Sequence, residues 1–311
     1  MKEKIGVYFS ASDQVLPWAI AFLNSFRRFN PELPLYLIPF NEQCDELKKL
    51  QEQYQFGIYE SEEFARLEKI GQDFELGHTH YGPYWFRRYA AFWGPLTSFI
   101  YLDARQLILT DIQHLVEAPQ QYDFDLLFYD CAINQVYEPG SLRQTFLRQK
   151  MGRGFNSGRW ASKRGLFTID DFEKLGAEAM TFRDQLNPRN TDQAFINYCC
   201  DARQINYGQF AELLGSYCQQ GWAGQRGRVY LDKGQYRLWD HGGLDHKKVL
   251  FLLHWGGIQL SPLMPERKLF LEFFNNQALA TQVNDLVKTP VASLYNYFRK
   301  SRRINTFYHN R

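Results

Sequence analysis

Residues Ser98–Ile112 read SFIYLDARQLILTDI. The apolar run Phe99-Ile100-Tyr101-Leu102 stops at a carboxylate, Asp103, and after Ala104-Arg105-Gln106 a second apolar run, Leu107-Ile108-Leu109, begins. Two β-prone runs pinched around charged residues predict a buried strand that surfaces at its end and then re-enters. In open α/β sheets ligands sit at the carboxyl ends of strands, so Asp103 and Arg105 are candidate ligand residues. A turn with solvated charges reads the same way locally.

Upstream, Lys4–Ser10 (KIGVYFS) alternates like a strand and reaches polar Ala11-Ser12-Asp13. Ser12 or Asp13 is placed to cap a helix over Leu16–Phe29. Leu35–Phe40 predicts a second strand, Glu46–Tyr54 a helix and Phe56–Tyr59 a short third strand. This β-α-β-α-β order predicts a mostly parallel sheet with crossover helices, Rossmann-like. Neither G-x-G-x-x-G nor G-x-x-x-x-G-K-[ST] occurs, which argues against ordinary dinucleotide and P-loop sites. Tyr84–Pro95, YWFRRYAAFWGP, predicts a helix carrying Arg87 and Arg88.

Downstream, Leu126–Tyr129 predicts a strand ending at Asp130, and Glu138–Gly152 a helix and loop. In Arg153–Ser162, RGFNSGRWAS, the run Asn156-Ser157-Gly158 predicts a tight bend whose polar groups suit sugar hydroxyls or a plain turn. Thr168-x-x-Asp171 has the form of a capping box, opening a helix that runs to about Gln185. Asp192 and Gln193 fall at the start of a helix over Asn190–Ala202, where a cap is the plain reading. Tyr207–Gln235, rich in glycine, reads as irregular. Lys247–His254 predicts a strand ending in His254 beside Gly256-Gly257, and Pro265–Leu279 a helix. His78 and His80 share a loop and lack a nearby third ligand.

Composition narrows the function. The 311 residues suffice for one large α/β domain. With 36 Lys+Arg against 34 Asp+Glu the net charge is +2, which argues against a nucleic-acid binder dominated by phosphate contacts. The 17% aromatic content fits either a large aromatic core or faces for stacking sugars and bases. Five cysteines, an odd number without a C-x-x-C, predict reduced thiols in a cytoplasmic protein. No signal peptide and no membrane span is read. Residues 288–311 differ: Arg299, Lys300, Arg302, Arg303 and Arg311 lie among aromatics with no acid from Pro290 onward. Such a tail reads as a contact for an anionic membrane surface or a partner, or as a solvated terminus.

These pieces, in this order, resemble the GT-A nucleotide-sugar glycosyltransferases, nearest the glycogenin and bacterial lipopolysaccharide galactosyltransferase type. The N-terminal βαβ looks like that family's nucleotide half. Arg88, then Gly94-Pro95, then Phe99–Asp111 looks like its R…P…YLDAD-x-x-x-x-x-D-I segment. Phe155–Gly158 looks like its F-N-S-G, Asp192-Gln193 like its D-Q, and His254-x-x-Gly257 like its late H-x-x-G. The resemblance spans roughly residues 4–275. It implies a single GT-A domain over residues 1–287 and a basic aromatic tail over 288–311. It also implies a hexosyltransferase that moves sugar from a nucleotide-sugar co-substrate, UDP-sugar by expectation, to a glycan or lipid-linked acceptor, with retention. The expected location is cytoplasmic, at the membrane's cytoplasmic face.

By the same resemblance Asp192 and Gln193 are the catalytic candidates. Donor-binding candidates are Ser10, Ser12, Asp13, Arg88, Asp103, Arg105, Asn156, Ser157, His254 and Gly257. Asp103 and His254 match two ligands of a divalent metal, manganese or magnesium, that in the family neutralises charge on the leaving diphosphate. The third ligand position holds Arg105, so the motif reads Asp103-Ala104-Arg105 rather than D-x-D, and a guanidinium cannot ligate a cation. The family's late lysine is also absent, with Leu260 in its place and Arg267 and Lys268 further on. The expectation is a metal-independent or weakly metal-dependent site in which Arg105 partly replaces the ion. The alternative is a non-catalytic GT-A module that binds a nucleotide, glycan or protein.

Overall fold

A computed structural model describes residues 4–74, 82–130, 132–189, 191–225, 227–240 and 248–275. His78, His80, Cys131, the predicted domain boundary at 287 and the basic tail lie outside the described residues.

The strands are β1 (Ile5–Ala11), β2 (Leu35–Pro39), β3 (Gly57–Ile58), β4 (Ser98–Asp103), β5 (Gln106–Ile108), β6 (Leu126–Phe128), β7 (Arg159–Lys163), β8 (Tyr207–Gln209), β9 (Tyr217–Gln220), β10 (Gly227–Asp232), β11 (Gln235–Asp240) and β12 (Val249–His254). Seven of them form one sheet in the order β3-β2-β1-β4-β7-β6-β8. Only β7 runs against its neighbours, so the sheet is mixed but mostly parallel. A second sheet runs β10-β11-β12-β5, with β9 beside β12.

The central strand shows why these residues make this sheet. Along β4, Phe99 and Tyr101 enter one core while Ile100 and Leu102 enter the other. Period-two alternation with apolar groups on both faces is the pattern of a strand covered on both sides. Helices Leu16–Phe29 and Gln113–Gln121 cover one face, and Phe64–Asp73, Ile169–Met180 and Thr191–Ala202 the other. Trp160 of β7 is stacked between Phe92 (5.0 Å) and Tyr101 (5.6 Å). The second sheet closes over its own cluster, with Trp18, Trp255 and Phe270 in ring contact.

The structure corrects several expectations. Residues Gly82–Trp93 form the helix expected over Tyr84–Pro95, with earlier bounds and in 3-10 form over twelve residues. Runs of that length are uncommon, and this one is gripped at both ends. A Cβ on Gly71 would meet Phe86 at 2.8 Å and Pro83 at 3.0 Å, and one on Gly94 would overlap the Tyr8 hydroxyl. Arg153–Ser162 holds not only the bend but the start of β7. Tyr207–Gln235 is not irregular; it carries β8, β9 and β10, whose short runs between glycines hide their alternation. The helix from Thr168 ends at Met180, and a 3-10 turn, Arg183–Gln185, follows. Neither Ser12 nor Asp13 caps Leu16–Phe29, whose N-cap is Val15. The four described cysteines, Cys44, Cys199, Cys200 and Cys218, are free and buried. No helix among the described residues is long and apolar enough to cross a membrane.

Candidate functional site

The chain leaves the first sheet at Asp103 and begins the second at Gln106, so Asp103-Ala104-Arg105 is the corner between the two sheets. Register brings other chemistry to this corner. Ser10 pairs with Asp103 across β1 and β4, Arg159 pairs with Leu102 across β7 and β4, and His254 pairs with Gln106 across β12 and β5. Backbone bonds pin the corner: Asp103 N–H donates to Gly158 O (2.9 Å) and Trp255 N–H donates to Arg105 O (3.0 Å). A Cβ on Gly158 would overlap Asp103 Oδ2, so a side chain here would displace the carboxylate.

Arg88 ties the corner to the helix Thr191–Ala202. It is 2% exposed, 3.4 Å from Asp103 Oδ1 and 3.3 Å from Asp192 Oδ2. It also donates to Ser157 O (3.0 Å) and Trp85 O (3.1 Å) and lies over the Trp85 ring. Burial works against its charge, but Asp103, Tyr101 and Asp192 carry its pKa above the ordinary value. Burial pushes the Asp103 carboxyl up, opposed by Arg88 and by the Tyr101 hydroxyl, which donates to Oδ1 at 2.8 Å. The Ser10 side chain hydrogen-bonds that same hydroxyl.

A second cluster lies on the other side. Arg159, 3% exposed, pairs with Asp130 and places Nη1 2.7 Å from His254 Nδ1. His254 Nδ1 is also 2.8 Å from Gly221 O. The first contact needs a lone pair on Nδ1 and the second a proton, so the two compete. Burial lowers the imidazole pKa well below the usual value, Arg159 and Arg105 add to that, and Gly221 opposes. Arg105, half-buried, makes no side-chain hydrogen bond or ion pair among the described residues. Several buried polar atoms near this corner have no partner among the described residues: Gln106 Oε1, Arg159 Nε, and both amide atoms of Gln220, which pairs with Leu253. Buried polar groups are nearly always satisfied, so such orphans mark a place where ligand or water belongs.

The remaining predicted residues divide. Asn156 Oδ1 accepts from Gly158 N–H (2.9 Å), making the bend, and Asn156 lines a cavity of about 260 Å³ with Asp130, Gln135 and Trp222. Ser157 is buried, with its Oγ 3.4 Å from Arg88. Gln193 is buried too: its Oε1 accepts from Ser157 N–H (3.3 Å) and its Nε2 donates to Gln135 (3.4 Å). Asn197 fastens the same loop with a pair of 2.8 Å bonds to the Phe155 backbone. Gly257, exposed and at φ +68°, needs to be glycine for its backbone alone. Ser12 is buried. Asp13 is taken up elsewhere, its carboxylate accepting from Glu46 N–H (3.1 Å) and Leu47 N–H (3.0 Å).

Asp130, Arg159, Gln135 and Trp222 were not singled out from the sequence. Sequence carried little signal for Arg159: its burial follows from the place of β7 between β4 and β6, and a buried charge needs a partner.

A divalent cation does not fit this donor set. Among the described residues no group of three His, Cys, Asp or Glu side chains converges. Asp103 Oδ1 is engaged by Tyr101 and Arg88, and His254 is flanked by Arg159. Manganese and magnesium want several oxygens around a favourable negative field. Here the carboxylates of Asp103, Asp130 and Asp192 are each already paired with Arg88 or Arg159, which leaves no negative field for a cation.

No family model and no curated protein matches the chain. Solved structures do match. WbbM, a bifunctional glycosyltransferase, aligns over 92% of this chain with a TM-score of 0.56 at 12% identity, and this chain spans 52% of that one, about half its length. An active-site mutant of LgtC aligns over 87% of this chain and 95% of its own, with a TM-score of 0.53 at 12% identity. LgtC is also solved as a galactosyltransferase in complex with donor and acceptor sugar analogs, with a TM-score of 0.51 at 11% identity. GlyE of Streptococcus pneumoniae TIGR4, a glycosyltransferase, aligns over 92% of this chain and 64% of its own, with a TM-score of 0.50 at 13% identity. At these identities the likeness is one of fold, and the fold is that of the GT-A glycosyltransferases.

Proposed function

We propose that the protein is a glycosyltransferase that moves a hexose from a nucleotide-sugar donor, UDP-sugar by preference, to a glycan or lipid-linked acceptor with retention. The observation that carries this reading is the ion-pair chain Asp103–Arg88–Asp192, which couples the end of the central strand to the start of the helix Thr191–Ala202. Departure of the nucleotide leaves negative charge on its diphosphate, and catalysis requires that charge to be met by groups already in place. In this reading Ser10 and Asp103 hold the nucleotide side, and Arg105 meets the diphosphate. Asn156 and the backbone around Ser157 take the sugar, and Asp192 faces the reacting carbon. Arg88, Ser157 and Gln193 then act by holding these groups rather than by touching the donor.

Hydrolysis of UDP-sugar without acceptor tests the proposal. Slow release of UDP is expected, reduced at least a hundredfold in Asp103→Ala and Asp192→Ala. Absence of any nucleotide binding would instead favour a non-catalytic module. The basic aromatic stretch at 290–311 supports an acceptor held at an anionic membrane on the cytoplasmic side.

A further inference from the structure

By the resemblance to GT-A glycosyltransferases Asp103 and His254 would be two ligands of a cation, yet each has an arginine against it here. Arg159 reaches His254 Nδ1 at 2.7 Å, and Arg88 reaches Asp103 Oδ1 at 3.4 Å. Arg105 lies at the corner between them with no side-chain partner among the described residues. The cluster balances: Arg88, Arg105 and Arg159 face Asp103, Asp130 and Asp192. Asp130 is the most exposed of the three carboxylates, its side chain 27% exposed against 21% and 15%. It also lines the 260 Å³ cavity beside Trp222. A Cβ on Gly221 would meet Asp130 Oδ2 at 2.7 Å and Arg159 Nη2 at 2.8 Å, so the ion pair lies against Gly221, the residue before the cavity-lining Trp222. Arg159 Nε–H is buried without a partner among the described residues.

We infer that the diphosphate of the donor binds without a divalent cation, between Arg105 and Arg159, by displacing Asp130 from the Arg159 guanidinium. This rests on the reading of the corner as a nucleotide-sugar site and states how its charge is met. A guanidinium fork matches phosphate oxygens as well as it matches a carboxylate, so the exchange keeps Arg159 paired throughout. Asp130 moves toward the open cavity as the phosphate enters. Between ligands, Asp130 holds the buried charge that would otherwise be left uncompensated.

The test is calorimetric titration of the full chain with UDP and, separately, with inorganic pyrophosphate, in EDTA and again for UDP in manganese. Wild type is expected to bind UDP in EDTA within threefold of its affinity in manganese. Asp130→Asn, which removes the competing carboxylate, is expected to bind pyrophosphate and UDP at least threefold tighter in EDTA. Arg105→Ala, at a half-buried position, and Arg159→Leu are each expected to bind at least tenfold more weakly. Misfolding cannot mimic the gain in Asp130→Asn. UDP binding that appears only with manganese, or an Asp130→Asn variant no tighter than wild type, overturns the inference and leaves the nucleotide-sugar reading standing. No binding of either probe under any condition overturns both.

Discussion

Arg88 sets the terms of the site at the scale of single residues. One buried guanidinium serves two carboxylates on different elements, and neither carboxylate has another arginine in contact among the described residues. Removing one member of a buried ion pair leaves uncompensated charge and costs about 3–5 kcal/mol. Arg88→Met should therefore lose about that much in urea denaturation at neutral pH, while Arg88→Lys loses less; equal stability of all three would contradict the pairing. Gly158→Ala probes the same corner by crowding Asp103, and should cut UDP affinity at least tenfold in a folded protein. His114 offers a separate residue-scale test. Burial lowers its pKa, against Asp111 and Glu117, and its ring lies 4.5 Å from Tyr217. A histidine depressed in the folded state favours the neutral form, so its stabilising share is present above about pH 6.5 and fades as pH falls. The melting temperature should drop more steeply from pH 7.5 to 5.5 in wild type than in His114→Phe, and identical slopes would refute the assignment.

Elements were legible in proportion to their local signals. The helix Leu16–Phe29 and the strand ending at Asp103 follow from periodicity, and the box at Thr168 is present with both bonds, Thr168 Oγ1 accepting from Asp171 N–H and Asp171 accepting from Thr168 N–H. Thr168→Ala should cost about 1 kcal/mol, read as a lowered urea midpoint with an unchanged slope. Strands β7 to β9 were not legible, because their pairing is set by distant partners rather than by their own pattern; β10 pairs locally with β11 through a two-residue turn at Lys233-Gly234, a hairpin signal missed in the sequence. Nor was the 3-10 form of Gly82–Trp93, which depends on contacts with Gly71 and Tyr8 far away in sequence. Asp13 shows the same limit: a polar residue at a strand end reads equally as a ligand group or as a partner for distant N–H groups, and it is the latter.

Over the whole molecule the decisive fact is that two sheets meet at one tripeptide. Ser10, Asp103 and Arg159 come from the first sheet, His254 from the second, and Arg105 sits at their junction. The order of motifs along the chain made Asp103, Asp192 and His254 readable as one site. The partners that hold them, Arg159 and Asp130 above all, became visible only when β7 was placed between β4 and β6. At this scale the basic stretch 288–311 carries its own prediction. A chain ending at residue 287 should keep its melting temperature and lose binding to vesicles containing anionic lipid, and unchanged vesicle binding would remove the membrane from the account.

The account turns on where a nucleotide diphosphate comes to rest. A crystal structure of the full chain soaked with UDP in EDTA locates it directly. Both phosphorus atoms are predicted at the corner, within reach of Arg105 and Arg159, with Asp130 turned away. A nucleotide bound elsewhere, or a corner still closed by Asp130 beside an ordered UDP, would contradict it.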